Sequence, residues 1–238
     1  MNEMQAPTQG KSGFGLSNNA LKIIAMLSMF IDHLGVQIYP EIGELRIIGR
    51  LALPLFAYMI AEGCFYTRNR TRYLILISSL AVACQVVFYV VENSLYQGIL
   101  VTFSLSIITI YSIDEIFKLR NWKNIILAVL GLCFVFIFSF ALPSLYKDEG
   151  FKIDYGVIGM LLPVTIYFMP NKYLKLIACA VMLGFLAMSI NVTQCYAIFA
   201  LPLLALYNGK RGTKKLKYVF YAFYPLHLIL IYLLNFII

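Results

Sequence analysis

The sequence predicts an all-α polytopic membrane protein with about nine transmembrane helices in one bundle, the N-terminus inside and the C-terminus outside. Of its 238 residues, 61% are hydrophobic and only 13% are charged, which lies outside the range of soluble globular proteins. Lys and Arg fall in alternate connections between long apolar runs. Several ionisable residues lie within the apolar runs, where they are costly to place and are usually retained for function.

Nine apolar runs follow a polar N-terminal segment. Residues 1–19 lack the basic start and the cleavage site of a signal peptide, so we expect a flexible segment and then a single transmembrane helical domain, 20–238. A spanning helix needs roughly 20 mostly apolar residues. The runs are 20–38, 47–67, 71–92, 95–116, 123–143, 154–170, 173–190, 193–207 and 217–237. The run 193–207 is the shortest and contains Pro202.

Basic residues cluster in the connections after the second, fourth, sixth and eighth runs, whereas the connections between these are acidic, mixed or neutral. Because Lys and Arg are enriched in cytoplasmic loops, this alternation predicts the topology and supports nine runs independently of hydropathy. The basic connections contain Arg68, Arg70, Arg72, Lys118, Arg120, Lys123, Lys172, Lys175, Lys210, Arg211, Lys214, Lys215 and Lys217. The net charge of +8 therefore reflects topology, and we expect membrane lipids and no nucleic acid as partners.

Five cysteines are scattered singly through the apolar runs, with no pair at a spacing typical of a metal site. They are Cys64, Cys84, Cys133, Cys179 and Cys195. We expect them to be reduced, buried packing residues, and we expect no bound metal.

Asp32, His33, Arg50 and Glu62 lie in the first two predicted helices, and His227 lies in the last. With a rise of about 1.5 Å per residue, His33 lies roughly 20 Å above the inner end of its helix and His227 roughly 15 Å above its own. Arg50 lies near the outer start of the second helix, at a height similar to that of His33, and Glu62 lies near the inner face. We therefore expect His33, Arg50 and His227 to converge on one cavity.

Asp32 and His33 are neighbours that point about 100° apart on a helix, so each needs a partner from another helix. Arg50 is the best placed cation for Asp32, since its planar fork matches a carboxylate. This pairing leaves His33 as a neutral imidazole that can act as a general base. In a simpler interpretation, His33 and His227 only form hydrogen bonds between helices.

Two basic turns on the predicted cytoplasmic side, FYTRNRTRY and LYNGKRG, are expected as topology signals and also suit a phosphorylated ligand. Arginine forks and the free N–H groups of a Gly-rich turn bind phosphates. Other polar residues lie mostly at predicted outer helix ends, where they could line an outward-facing pocket or simply be hydrated. These residues are Gln85, Asn93, Gln97, Asp154, Tyr155, Asn191 and Gln194.

The motifs ALKIIAMLSMFIDHLG, IGRLALPLFAYMIAEGCFYTRN, DYGVIGML, LYNGKRG and FYAFYPLHLILIY, in this order, resemble the TraX family of integral membrane proteins. The resemblance covers the chain from about Ala20 to its end. The name-giving member is an F-pilin acetylase, which acetylates the N-terminal amine of a small pilin subunit, and the family more distantly resembles transmembrane acyltransferases. The resemblance thus implies an acetyltransferase of the bacterial cytoplasmic (inner) membrane that uses acetyl-CoA from the cytoplasm.

The resemblance also implies roles for individual residues. His33 would take the proton from the acceptor, and Asp32 with Arg50 would position it or stabilise developing charge. His227 would stabilise the oxyanion or take part in a proton relay. The nucleotide end of coenzyme A would lie at the basic turns, and the residues expected to bind it are Arg68, Asn69, Glu62, Asn208, Lys210 and Arg211. The acceptor would be a peptide, a sugar or a lipid.

Other functions are compatible with the same residues. The transfer could proceed through an acetylated His33 or, as a poorer candidate, Cys64. A proton-coupled transporter could use Asp32, His33, Glu62 and His227 as a relay, although the sequence shows no convincing internal repeat. A structural or assembly subunit would have no need of buried ionisable groups.

Overall fold

The computed structural model describes residues 15–118, 121–210, 212 and 216–237, and the regular secondary structure of this part of the chain is helical. Its helices are α1 (Asn18–Gln37), α2 (Gly43–Gly49), α3 (Ala52–Tyr66), α4 (Arg70–Glu92), α5 (Ile99–Lys118), α6 (Trp122–Phe136), α7 (Leu142–Leu145), α8 (Gly156–Phe168), α9 (Lys172–Ser189), α10 (Ala200–Ala205) and α11 (Lys217–Ile237). A π-helical turn, Ile137–Ala141, joins α6 to α7, and a 3₁₀ helix, Val192–Phe199, leads into α10.

Seven helical stretches in the described part of the chain are long and apolar enough to cross a membrane, so the protein is a multi-pass membrane protein. They are Asn18–Gln37, Gly43–Tyr66, Arg70–Glu92, Ile99–Lys118, Trp122–Leu145, Lys172–Ser189 and Tyr218–Ile237. The other two predicted runs form the shorter apolar helices Gly156–Phe168 and Val192–Ala205. Each is only roughly 20 to 25 Å long, against a hydrocarbon core of about 30 Å. Flanking residues are therefore needed for either one to cross completely.

The second predicted helix is divided into α2 and α3, which are separated by Arg50 and Leu51. The cause is Pro54 in the first turn of α3. It has no N–H to donate to the carbonyl of Arg50, and in a continuous helix its ring would clash with that carbonyl. Since α2 begins at Gly43 rather than at residue 47, Arg50 lies at a break inside the span and not near its outer start, where the sequence places it.

Helix α3 is the centre of the bundle. Every residue from Ala52 to Glu62 is buried, and the helix packs against α1, α5, α8 and α10. Helix α6, by contrast, packs on α5 at the edge and exposes large apolar side chains such as Leu127 and Phe136. Such an apolar exposed surface is expected where a helix faces lipid.

Three of the five cysteines, Cys64, Cys84 and Cys179, are buried, as predicted. Cys133 and Cys195 are exposed, so the prediction of burial is wrong for these two. The physical reason is that the surface of a membrane helix faces apolar lipid, so a small apolar side chain has no need to point inward. All five are free thiols.

Helix α1 begins at Asn18, slightly before the predicted domain boundary, and is capped by the Ser17 side chain. The backbone of Leu16 pairs with the turn at 206–208, which follows α10. The last residues of the predicted flexible segment are therefore attached to the bundle, and its residues 1–14 lie outside the described part of the chain.

Candidate functional site

A cavity of about 880 Å³ lies at one end of the bundle. Helices α1, α4, α9 and α11 end beside it, and α5 and α8 begin there. Its lining includes both histidines, three basic residues and three carboxylates: His33, His227, Arg46, Arg50, Lys152, Asp32, Glu92 and Asp154. The predicted convergence of His33, Arg50 and His227 on one cavity is confirmed.

His33 on α1 and His227 on α11 are in direct contact. Nε2 of His227 lies 3.2 Å from Nδ1 of His33, and the two ring planes are inclined by 18° with their centroids 5.1 Å apart. His227 is buried, and its ring also stacks on that of Phe223, with 4.8 Å between the centroids. The pair therefore joins the first and last helices, as expected if the two histidines only form hydrogen bonds between helices. At the same time, both histidines line the cavity.

The hydrogen bonds of His227 determine which nitrogens carry protons when both rings are neutral. Nδ1 of His227 lies 2.8 Å from the backbone carbonyl of Phe223, which can only accept, so this nitrogen is protonated. Nε2 of His227 is then an acceptor, and Nδ1 of His33 donates to it. Nε2 of His33 is left with an unprotonated lone pair. One residue of the cavity wall is thus an imidazole whose tautomer and orientation are set by the neighbouring ring, and which keeps an unprotonated nitrogen that can accept a proton.

Asp32 is held by two arginines. The predicted pair with Arg50 forms at 2.7 Å, and Arg46 binds the other carboxylate oxygen at 2.8 Å. Arg50 is buried, and it also donates to the backbone carbonyl of Arg46 at 3.1 Å and to the hydroxyl of Tyr155 at 3.3 Å. Arg46 is a site residue that the sequence interpretation missed. The available signal is its position four residues before Arg50, which places both side chains on one helix face.

The approach of Asp32 to α2 depends on Gly49. A Cβ atom at position 49 would overlap the side chain of Asp32. Glycine is therefore needed here for close approach of the two helices. In the Gly49–Arg50 pair, the first residue provides the space for the carboxylate and the second provides its counter-charge.

The connections α4–α5 and α7–α8 complete the cavity wall. Their backbones pair, since the Gln97 N–H donates to the Lys152 carbonyl at 2.7 Å and the Asp154 N–H donates to the Gln97 carbonyl at 2.9 Å. The hydroxyl of Tyr96, a second missed residue, donates to the Asp154 carboxylate at 2.5 Å. Of the polar residues noted in the sequence, Gln85, Asp154, Tyr155 and Gln194 line the cavity. Nothing in the sequence near Tyr96 distinguishes it from the other tyrosines.

The Asp154 carboxyl gives a pH-dependent contribution to stability. Burial raises the pKa of Asp154 to about 6, against the opposing effects of the Tyr96 hydrogen bond and the Arg50 charge. The folded protein therefore holds this proton more tightly than the unfolded chain, whose pKa is near 3.8. The contribution is fully present below pH 3.8 and is lost as the pH rises through about 6.

When the pH is raised from 4.5 to 7, we expect the thermal midpoint of the purified protein to decrease by more than the thermal midpoint of an Asp154→Asn variant. Both midpoints are measured by fluorescence in the same detergent. Asn cannot titrate, so the part of the pH dependence of stability that comes from Asp154 disappears. The control is Asp148→Asn, since Asp148 is exposed in the same connection. Parallel pH profiles for the unsubstituted protein and Asp154→Asn would contradict the assignment.

The residues predicted to bind the cofactor lie at the opposite end of the bundle, and none of those that the structure describes lines the cavity. Glu62 is buried and forms an ion pair with Lys175 of α9 at 2.7 Å, so its carboxylate already has a cationic partner. A second ionic cluster at this end joins α4 to α5, where Arg70 pairs with Asp114 and with Glu115. Both clusters connect neighbouring helices.

The other predicted cofactor residues belong to the two basic turns. Asn69 caps α4 by accepting a hydrogen bond from the Arg72 N–H at 2.8 Å, and the Asn208 amide donates to the Gly15 carbonyl at 3.2 Å. Both asparagines thus have local structural roles. Arg68 and Lys210 are exposed, and Arg211 lies outside the described residues.

The fold and the cavity define a class of protein: a multi-pass helical membrane protein in which a histidine pair and an arginine-bound carboxylate line a cavity at one end of the bundle. No three His, Cys, Asp or Glu side chains among the described residues could together hold a metal ion. The family model for TraX protein matches residues 17–235. The chain belongs to the TraX family.

Two relatives show how far the similarity extends. The chain is 28% identical, over an alignment of 248 positions, to a probable fimbrial assembly protein, FimC of serogroup H1, from Dichelobacter nodosus. The alignment covers 89% of this chain and 92% of the relative. It is 27% identical over 168 residues to RP591, an uncharacterized protein of Rickettsia prowazekii (strain Madrid E), with 70% of this chain and 54% of the relative covered. The chain therefore matches about half the length of RP591. No solved structure matches the chain.

Proposed function

We propose that the protein is an integral membrane acyltransferase that moves an acetyl group from acetyl-CoA to an amine or hydroxyl acceptor. The observation that carries this proposal is the contact between His33 and His227 in the wall of a large cavity, which leaves Nε2 of His33 unprotonated. Membership of the TraX family supports the reaction class. The name of the D. nodosus relative favours the N-terminal amine of a pilin-like peptide, rather than a sugar or a lipid, as the acceptor.

His33 acts as the general base. Its Nε2 takes a proton from the acceptor as the acceptor nitrogen or oxygen bonds to the thioester carbonyl carbon, and the carbonyl π electrons move onto oxygen. When this tetrahedral intermediate collapses, the C–S bond breaks and His33 returns the proton to the departing thiolate. The products are the acetylated acceptor and the CoA thiol, and His33 is neutral again.

His227 and Arg50 are positioning residues in this scheme. Both ring nitrogens of His227 already have partners, so we assign it the orientation of His33 and not the oxyanion role that the family resemblance left open. Arg50 is fixed by Asp32 and contributes a preorganised positive charge to the cavity wall.

We place acetyl-CoA on the cytoplasmic side, with its nucleotide end near the basic turns that contain Arg68 and Lys210. Ala81 is the cavity residue of α4 closest to that end, and about 14 Å of helical rise separates it from Arg72. Leu21 of α1 is fully buried in the intervening layer. The proposal therefore requires the helices of this layer to separate when the pantetheine arm enters.

We also propose nine membrane passes with the N-terminus inside, in the bacterial cytoplasmic membrane. The arrangement around the cavity supports this, because α1, α4, α9 and α11 end where α5 and α8 begin. Helices alternate in direction in this way when each apolar segment, including the two short ones, passes from one side to the other.

In a background without the five native cysteines, Lys147→Cys and Val192→Cys are expected to react with a membrane-impermeant maleimide added to spheroplasts. Tyr173→Cys and Lys210→Cys are expected to react only after the membrane is opened. All four positions are exposed and lie in or beside connections. Labelling of Tyr173→Cys from outside would show that α8 does not cross, and the reverse pattern at all four positions would contradict the orientation.

A proton-coupled transporter is the second candidate. The contrast between the two ends of the bundle favours it, since one end holds the cavity and the other holds the buried Glu62–Lys175 pair. A protein that opens alternately to the two sides of a membrane would show such a difference in one of its states.

Release of CoA thiol separates the two candidates. Purified full-length protein in detergent is mixed with acetyl-CoA and a short peptide that has a free N-terminal amine, and thiol is followed with a chromogenic disulfide. An acyltransferase binds acetyl-CoA by calorimetry and releases thiol in a peptide-dependent manner. A folded protein that neither binds acetyl-CoA at millimolar concentration nor releases thiol would overturn the proposal in favour of the transporter.

A further inference from the structure

Tyr155 stands at the start of α8 in a backbone conformation that bulky residues rarely adopt. Its φ is +57° and its ψ is 5°, in the left-handed region. Strained conformations of this kind persist where the surrounding structure holds them, and they concentrate at functional sites. Tyr155 also lines the cavity that contains His33.

The segment that carries Tyr155 is held from three directions. The Asp154 N–H donates to the Gln97 carbonyl at 2.9 Å, and the Thr102 hydroxyl donates to the Asp154 carbonyl at 2.8 Å. The Arg50 guanidinium donates to the Tyr155 hydroxyl oxygen at 3.3 Å. The phenol is therefore fixed in place before any substrate binds.

The hydroxyl of Tyr155 has a proton to give. A guanidinium has donors only, so the contact with Arg50 uses a lone pair of the phenol oxygen and leaves its O–H without an acceptor among the residues that the structure describes. Burial first, and then the neighbouring Asp154 carboxylate, raise the pKa of Tyr155, so the hydroxyl keeps its proton at neutral pH. The positive charge of Arg50 polarises the same O–H and strengthens it as a donor.

We propose that Tyr155 is a further catalytic residue, whose hydroxyl donates a hydrogen bond to the carbonyl oxygen of the transferred acyl group as that oxygen becomes negatively charged. This inference rests on the acyltransferase function proposed above. Tyr155 keeps its proton throughout, while His33 carries the acceptor proton to the thiolate. The oxyanion therefore forms against a prepositioned donor, which is the arrangement that stabilises tetrahedral intermediates most effectively.

The test compares Tyr155→Phe with the unsubstituted full-length protein, using acetyl-CoA and a peptide with a free N-terminal amine. Loss of one oxyanion donor is expected to lower kcat by about 10²- to 10³-fold and to leave KM for acetyl-CoA nearly unchanged. The matched control is Tyr146→Phe, because Tyr146 is an exposed tyrosine at the other end of the same connection and does not line the cavity. It is expected to retain the unsubstituted rate.

A second readout separates catalysis from structure. Fluorotyrosines of increasing phenol acidity at position 155 are expected to change kcat in a graded order while the thermal midpoint stays constant. A kcat for Tyr155→Phe within about threefold of the unsubstituted value, or a loss that follows the thermal midpoint with no grading among the fluorotyrosines, would overturn the inference and leave the acyltransferase proposal standing. Absence of thiol release from the unsubstituted protein would overturn both.

Discussion

Replacing His33 with glutamine is expected to lower kcat for acetyl transfer by about 10²- to 10⁴-fold, which is the usual contribution of a positioned general base. Glutamine retains a polar side chain in the cavity but has no basic lone pair. Calorimetric affinity for acetyl-CoA is expected to stay within about threefold, because the proton is transferred only in the chemical step. Thiol release and calorimetry on the same preparation measure both quantities.

His227→Gln is the matched control for this prediction. It removes the imidazole that accepts the Nδ1 proton of His33 but leaves the His33 imidazole itself in place. A smaller loss of kcat is therefore expected than for His33→Gln. Retention of kcat in His33→Gln would contradict the general-base role, and equal losses in both variants together with a lower thermal midpoint would indicate that the pair is structural.

Replacing Arg50 with methionine is expected to lower the free energy of unfolding by about 3 to 5 kcal/mol, because removal of the buried member of the ion pair leaves the Asp32 carboxylate with only the more exposed Arg46 as its partner. The Arg50 side chain is only 4% exposed and binds Asp32 at 2.7 Å. Methionine fills much of the same volume without the charge. Reversible unfolding in mixed micelles of SDS and a mild detergent measures the difference.

Arg46→Met provides the comparison, since both arginines bind the same carboxylate. The Arg46 side chain is 38% exposed, so its ion pair is screened and its loss is expected to cost about 1 kcal/mol or less. Equal destabilisation by the two substitutions would contradict the view that Arg50 is the buried anchor of Asp32.

The parts of the site that the sequence predicts correctly are those that follow from helical geometry. Counting residues from the predicted inner ends of the first and last runs places His33 and His227 at nearly the same depth, and the two rings are in fact in contact. The cost of a charge inside a membrane requires a partner for Asp32, and Arg50 is that partner. Depth and charge are properties of a single segment and can be read without knowledge of packing.

The parts that were missed depend on which segments become neighbours. Lys175 lies far from Glu62 in sequence, and only the folded arrangement, in which the Lys175 side chain of α9 reaches Glu62 of α3, reveals that the predicted cofactor ligand has an ionic partner. Tyr96 reaches Asp154 because the α4–α5 connection pairs with the α7–α8 connection, and this pairing has no periodic signal in the sequence. The cavity lies at the end of the bundle away from the basic turns. The path of acetyl-CoA from these turns to the cavity therefore has to be proposed separately from the site.

Movement of the acetyl group itself is the most direct test of the account. Inverted membrane vesicles from cells that produce the unsubstituted protein or the His33→Gln variant receive acetyl-CoA with a radiolabelled acetyl group, and the label is separated into unreacted donor and other products. A labelled product other than acetyl-CoA, in an amount equal to the CoA thiol released, is expected only with the unsubstituted protein. Equal labelling in both kinds of vesicle, with both proteins folded in the membrane, would contradict this expectation.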